Sequence, residues 1–245
     1  MNEYINITLE NISNEHLCCA ISDKKHEQGV LAKKEWLKDR IKEGHVFRKL
    51  NAQGKVFIEY APLEKAWVPI EGNNYNYIYC LWVAGSYKNN GYGKELLEYA
   101  IKDAKDNNKN GICVLSSKKK KPFISEKSFF IKYGFEVIET LGDYELLCLS
   151  FNDKEKPKFT ESVKLMSISD SGIIIYYTNQ CPYVENCIKE INEYIEETKK
   201  DIRLIKIDSL EKAKNVPCIF NNWAVFNNQK FISNTLLNKN SVAKL

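Results

Sequence analysis

The stretch Lys88-Asn89-Asn90-Gly91-Tyr92-Gly93 constrains this chain more than any other. It follows an apolar, β-rich run, Tyr77 to Val83. It opens a segment whose Leu96, Leu97, Ala100, Ile101 and Ala104 recur at helical spacing. A strand that passes through two glycines into a helix lets the backbone come close to a ligand. It also aims unpaired N–H groups and the positive end of the helix dipole at whatever stands in front. Such a turn is an anion cradle suited to a diphosphate. The plain alternative is a glycine-rich turn with no ligand.

The flanks decide between nucleotide folds. A dinucleotide fingerprint needs a third glycine where Leu96 stands, and a P-loop needs Ser or Thr after Gly93-Lys94, where Glu95 stands. The stretch instead resembles the acyl-CoA-binding motif of the GCN5-related N-acetyltransferases (GNAT), Gln/Arg-x-x-Gly-x-Gly/Ala, with Lys88 in the first position. A second stretch, Lys132-Tyr133-Gly134-Phe135, resembles that superfamily's other motif, whose Gly-Phe closes a helix.

The bulk numbers fit a soluble, globular chain of 245 residues, long enough for one large domain or two ordinary ones. Hydrophobic residues make up 44% and charged residues 28%, which argues against disorder. No apolar run approaches the roughly 20 residues of a membrane helix. The start, Met1-Asn2-Glu3-Tyr4, has no signal-peptide pattern, so a cytoplasmic protein with no membrane partner is expected. Net charge is +4, and the only arginines are Arg40, Arg48 and Arg203. Nucleic-acid readers lean on arginine, so no nucleic-acid partner is expected. The run Lys118 to Lys121 reads as a solvated loop, or as a site that attracts the 3′-phosphate of coenzyme A.

The order of elements divides the chain into residues 1–151, a linker over 152–162 that holds Pro157, and residues 163–245. The first part reads as a strand at Tyr4 to Leu9 and a helical stretch over Asn14 to Gly44 with Leu31, Trp36, Leu37 and Ile41 on one buried face. A hairpin of Val46 to Leu50 with Lys55 to Ala61 and a strand at Tyr75 to Val83 lead to the cradle helix. A strand at Gly111 to Ser116, a helix at Ser125 to Tyr133 capped by Gly134, and two closing strands complete it. The tail reads β-α-β, then a short helix, Val216-Pro217 and a hairpin around Asn227-Asn228-Gln229. It resembles a small thioredoxin-like domain, and the whole resembles acetyltransferases with a C-terminal YoaP-like domain. The fold implied is α+β, a GNAT mixed sheet with flanking helices plus a small thioredoxin-like α/β domain.

That resemblance implies acetyl-CoA as co-substrate, lying where two parallel strands part. The backbone of Leu81, Trp82 and Val83 would hold the pantetheine, and Lys88, Asn89, Asn90, Gly91, Tyr92, Gly93 and Lys94 the pyrophosphate. Acyl transfer to an amine needs the amine deprotonated, the thioester oxygen stabilised and the leaving thiolate protonated. The superfamily's tyrosine four residues before the second-motif glycine is Phe130 here, and Tyr133 stands a helical turn further on as the candidate acid. Where some relatives carry a basic glutamate, this chain has Tyr77. Glu59 and Glu71 are the nearest carboxylates. Glu59, alternating with Phe57 and Ala61, reads as a half-buried base or as a surface strand glutamate. Tyr60, Trp67, Tyr79 and Cys80, with Tyr77, surround the expected acceptor pocket, or simply pack the core.

Eight cysteines in a cytoplasmic chain are read as reduced thiols. Cys18, Cys19, Cys80, Cys113 and Cys148 lie in apolar surroundings and read as small core residues. Cys181-Pro182-Tyr183 repeats the first three residues of a glutaredoxin site, but Val184 replaces the second cysteine and Cys187 falls on another helical face. Pro217 matches the cis-proline of thioredoxin folds, which would bring Cys218 near Cys181. A helix start favours a thiolate. Cys181 is therefore a single-cysteine redox site, a ligand site with Cys218, or a fold element.

The function implied is transfer of an acetyl group from acetyl-CoA to a primary amine of a small molecule or peptide, with no metal. The alternative is a catalytically weak CoA-binding sensor or a redox-linked module using Cys181. A homodimer is left open.

Overall fold

The structure, a computed structural model, describes residues 3–17, 20 and 24–245. The reading of Cys18 and Cys19 as core residues lies outside the described residues. The chain divides into two compact units, and neither is contiguous. One takes Leu37–Ala66 and Ile70–Phe159 with the N-terminal segment. The other takes Trp67–Pro69 and Thr160–Leu245 with the segment ending at Trp36.

In the first unit the strands are β1 (Tyr4–Asn6), β2 (Val46–Leu50), β3 (Val56–Pro62), β4 (Ile70–Glu71), β5 (Tyr75–Val83), β6 (Gly111–Ser117), β7 (Glu136–Leu141), β8 (Tyr144–Ser150) and β9 (Lys158–Phe159). Seven form one sheet in the order β1-β2-β3-β5-β6-β8-β7, and β4 pairs with β9. Every neighbouring pair in the large sheet is antiparallel except β5 with β6. Helix α1 (Glu27–Lys42) crosses the division between the units at Trp36; α2 (Tyr92–Asp106) and α3 (Lys127–Lys132) belong to the first. This is the α+β mixed sheet with flanking helices implied by the sequence.

Alternation along the strands sorts their side chains onto two faces. Val56, Ile58 and Tyr60 of β3, Ile78 of β5, and Ile112 and Val114 of β6 share a core with Leu96, Leu97, Ala100 and Ala104 of α2 and with Phe130, Phe135 and Leu147. The leucines of α2 are fully buried, each contributing about 1.5–3 kcal/mol. Leu96→Ala would cost roughly 2–5 kcal/mol and loosen the helix that carries the cradle.

The early helix departs from expectation. It starts at Glu27, after a 3-10 turn at Lys24–His26, rather than near Asn14. Its buried stripe is Gly29, Lys33 and Leu37, while Leu31 is 51% exposed. Apolarity alone predicts Leu31 inside. A lysine takes the inward position because its ammonium has a backbone carbonyl to bind.

The second unit has a four-stranded sheet made of β10 (Ile173–Tyr177), β11 (Ile202–Lys206), β12 (Trp223–Asn227) and β13 (Lys230–Ser233) in the order β11-β10-β12-β13. β10 and β11 are parallel, joined through α4 (Val184–Thr198). β12 and β13 run antiparallel after α5 (Leu210–Lys214), and α6 (Lys239–Val242) follows. The turn between β12 and β13 uses left-handed Asn228 and Gln229, as hairpin twist favours. No helix among the described residues is long and apolar enough to cross a membrane.

Candidate active site

The parallel pair at the centre of the large sheet comes apart. β5 and β6 are in register from Tyr75↔Gly111 to Ile78↔Val114 and no further. β5 stays paired with β3 as far as Val83, and β6 with β8 as far as Ser117. The β5–β6 ladder thus ends at Ile78, well short of the end of β5 at Val83. At the parting point the β3–β5 register slips: Glu59 pairs with Cys80 but Tyr60 with Ile78, so Tyr79 is the extra residue of a bulge. Just beyond the last paired residues, the buried Tyr77 phenol meets the Leu115 backbone.

The glycine turn stands at the end of the parted β5. Asn89 and Gly91 are both left-handed, at φ +64° and +83°. The Asn90 side chain donates to the carbonyls of Ser86, at 3.0 Å, and Lys88, at 3.1 Å, which fixes the loop. The first helical bond of α2 runs from the Glu95 amide to the Gly91 carbonyl, so the amides of Tyr92, Gly93 and Lys94 precede it. Among the described residues, no backbone bond is donated by Asn89, Asn90 or Gly91 either. A Cβ at Gly91 would meet nothing within 4 Å, so the space ahead of the turn is open. One at Gly93 would stand 3.4 Å from the Phe129 ring and 3.7 Å from Leu81. Six consecutive amides, open space and the positive end of a four-turn helix suit a diphosphate. Lys88 is exposed, and Lys94 pairs across one turn with Glu98 at 3.6 Å.

Other expected site residues scatter. Trp82 pairs with Phe57 and faces away from α2, whereas Leu81 and Val83 pack toward it. Glu59 is neither half-buried nor on the surface. It is 0% exposed, with His45 Nε2 3.1 Å from its Oε1. Tyr79 lies over the His45 ring at 5.1 Å and meets Tyr77 edge-on. His45 escapes a reading of the sequence, since only the hairpin register brings it beside Glu59. Tyr60 points to the other face, under α2, where its hydroxyl donates to Asp103 at 2.8 Å and burial raises its pKa well above the usual value. Trp67 belongs to the core of the second unit, with Trp36 edge-on at 6.2 Å. Cys80 is half-buried on the Glu59 face, and Cys113 and Cys148 are buried. Glu71 is exposed and pairs with Lys158.

Phe130 is sealed in the core against Phe135, and the half-buried Tyr133 ring packs on Phe129 at 5.0 Å. Of the lysine run, Lys118 binds the Gly142 carbonyl, Lys120 pairs with Glu126 and Lys121 with Asp143. Three of its four ammoniums are engaged by protein oxygens.

In the second unit Cys181 and Cys218 do not converge. Cys181 packs with Ile173, Ile175, Val184, Cys187 and Trp223, while Cys218 packs with Ile174, Val216 and Phe226. Ile174 alternates with its neighbours on β10, so these clusters lie on opposite faces of the sheet. No peptide bond among the described residues is cis, so Pro217 is trans and does not direct Cys218 toward Cys181. Burial pushes the Cys187 thiol up to about 11 and that of Cys218 well above its usual value. No group of three or more metal-binding side chains exists among the described residues.

The start of α1 covers the turn that carries Cys181. A Cβ on Gly29 would stand 1.8 Å from the Pro182 carbonyl oxygen. The Lys33 ammonium, 1% exposed, donates to the Gln180 carbonyl at 2.7 Å. Lys25 pairs with Glu190 at 2.9 Å, and His26 meets Tyr183 edge-on. The one visible signal was a glycine one turn before a lysine inside a helical pattern.

Comparison with known proteins gives two family matches. The acetyltransferase (GNAT) family model matches residues 9–124, and the YoaP-like model matches residues 201–244. The "Uncharacterized N-acetyltransferase YoaP" of Bacillus subtilis (strain 168) is 42% identical over 244 residues, covering 99% of this chain and 97% of that protein. Among solved structures, the PaiA N-acetyltransferase of Thermoplasma acidophilum in complex with coenzyme A is 18% identical with a TM-score of 0.43, covering 62% of this chain and 99% of its own. A GNAT-family acetyltransferase of Staphylococcus aureus Mu50 is 19% identical with a TM-score of 0.43, covering 62% and 100%.

Proposed function

Because this chain belongs to the acetyltransferase (GNAT) family and is an acetyl-CoA-dependent acyltransferase, we propose that its first unit transfers an acetyl group to a primary amine of a small molecule or peptide. The observation that carries the reading is the parting of β5 from β6 beside the open helix start of α2. The amides from Asn89 to Lys94 would solvate the pyrophosphate without any titratable side chain. The backbone of Leu81, Trp82 and Val83, past the last residue of β5 that pairs with β6, would pair with the amide-bearing pantetheine as a strand would. An edge amide near the bulge would meet the charge that develops on the thioester oxygen.

The amine nitrogen forms its bond to the acetyl carbon as the carbon–sulfur bond breaks. One proton leaves the amine and one is taken up by the departing thiolate. Glu59 is the carboxylate that β3 places beside Cys80 on the face opposite α2, and with its burial against His45 proton exchange would pass through the groups around it: His45, Tyr79 and Cys80. Tyr133 is the phenol that α3 offers for the thiolate. Tyr133→Phe is expected to lower turnover in steady-state assays.

For the second unit we propose a thioredoxin-like fold whose thiol-bearing turn serves as an anchor. The support is that the turn's carbonyls at Gln180 and Pro182 lie against Lys33 and Gly29. A buried, covered cysteine whose proposed partner, Cys218, lies on the opposite face of the sheet is poorly placed for exchange with it.

Incubating purified protein with acetyl-CoA and a panel of primary amines, and weighing the products, tests the reading. A gain of one acetyl group on an amine, lost in Gly91→Glu, is the expected result. Coenzyme A binding with no product would favour the sensor, and activity lost in Cys181→Ser but kept in Gly91→Glu would favour the redox-linked module.

A further inference from the structure

Resting on that reading, we propose that the Trp82 indole is the acceptor-side wall of the parted strands, and that it selects a primary amine carried on a flat, apolar body. The side of the gap where α2 begins is taken by the cradle. An amine must therefore reach the thioester from the opposite face of the sheet. β5 presents Cys80 and Trp82 to that face, since they pair with Glu59 and Phe57 while Leu81 and Val83 turn toward α2.

Trp82 is 47% exposed and is the only exposed one of the chain's four tryptophans. Trp67 and Trp223 are buried and Trp36 is half-buried. A single exposed apolar side chain is ordinary on a protein surface. This one stands on the stretch where β6 has already withdrawn, so no neighbouring strand on that side supplies a side chain to cover it. An indole there offers an apolar plane and an electron-rich π face. It would stack on an aromatic ring and attract the still-protonated ammonium attached to it. A carboxylate wall would instead select a polycation, but Glu59, the carboxylate paired with Cys80 on this face, is sealed against His45.

Phenethylamine and spermidine are the probes. Trp82→Ala is expected to raise the KM for phenethylamine by about tenfold, with kcat within about threefold, the pattern of lost acceptor binding rather than lost chemistry. Trp82→Phe, which keeps a smaller aromatic plane, restores most of the loss. In parallel, phenethylamine added to the CoA-loaded protein should change the tryptophan fluorescence saturably in wild type and not in Trp82→Phe. A KM that moves less than about twofold in Trp82→Ala overturns the inference, as does a wild-type preference for spermidine. If wild type binds phenethylamine through Trp82 but forms no acetylated product, the transferase reading fails and the acceptor wall stands. If no saturable signal appears and no amine is turned over, the wall is refuted as well.

Discussion

Replacing Gly91 by alanine separates the cradle's shape from its bulk. Gly91 holds φ +83°, a region where a side chain costs about 1–2 kcal/mol. A Cβ there meets nothing within 4 Å, so sterics add no further cost. Gly142, in the turn between β7 and β8, provides the matched control, with φ +60° and the same empty surroundings. Both variants should lose a similar amount of stability, about 2–8 °C in Tm for a chain this size. Only Gly91→Ala disturbs the amides that precede the first bond of α2. Loss of one amide hydrogen bond to a charged phosphate is worth about 1.5–3 kcal/mol, or roughly 10- to 150-fold in Kd. Isothermal titration with coenzyme A measures it. Gly91→Ala should weaken binding at least tenfold, while Gly142→Ala stays within about twofold of wild type. Equal affinities in both variants would refute the idea that this turn holds the diphosphate.

Further outcomes follow from other contacts. Gly29→Ala forces a Cβ to within 1.8 Å of the Pro182 carbonyl. It should destabilise the second unit by about 1–3 kcal/mol or more and speed the alkylation of Cys181, read by peptide mass. Phe130→Tyr places a hydroxyl in a sealed core, costing about 1–3 kcal/mol of stability without raising kcat, as thermal unfolding and steady-state rates would show. Tyr60→Phe removes the hydroxyl that holds Asp103 and should lower Tm by about 2–4 °C. The Cys187 thiol is raised from 9.0 to about 11 by burial. The neutral thiol therefore favours the fold below pH 9, and that contribution is lost as pH rises toward 11. At pH 8 only about 0.1% would be thiolate, so iodoacetamide should leave Cys187 of the native protein unlabelled.

The cradle and its helix were legible because their signals are local: two glycines after a strand, then Leu96, Leu97, Ala100 and Ala104 at helical spacing. The parting of β5 from β6 rested on resemblance, because strand register is a long-range property. Tyr60 and Glu59 show why side-chain facing was harder. The bulge at Tyr79 shifts the register by one residue, so counting along β5 alone misplaces its neighbours on β3. Lys33 entered no reading of the sequence for another reason. Its burial depends on a carbonyl at Gln180, far away in sequence, which no periodicity of α1 reports. Trp67 likewise joins a core built from residues after Thr160. The start of α1 read as part of an ordinary helix and the turn at Cys181 as a thiol site or a fold element, and only their contact shows that the turn is covered.

A crystal structure of the protein with acetyl-CoA tests the central claim most directly. The account predicts pyrophosphate oxygens on the amides from Asn89 to Lys94 and pantetheine amides paired with the edge of β5 between Tyr79 and Val83. Acetyl-CoA bound elsewhere, with that edge and that helix start left bare, would contradict it.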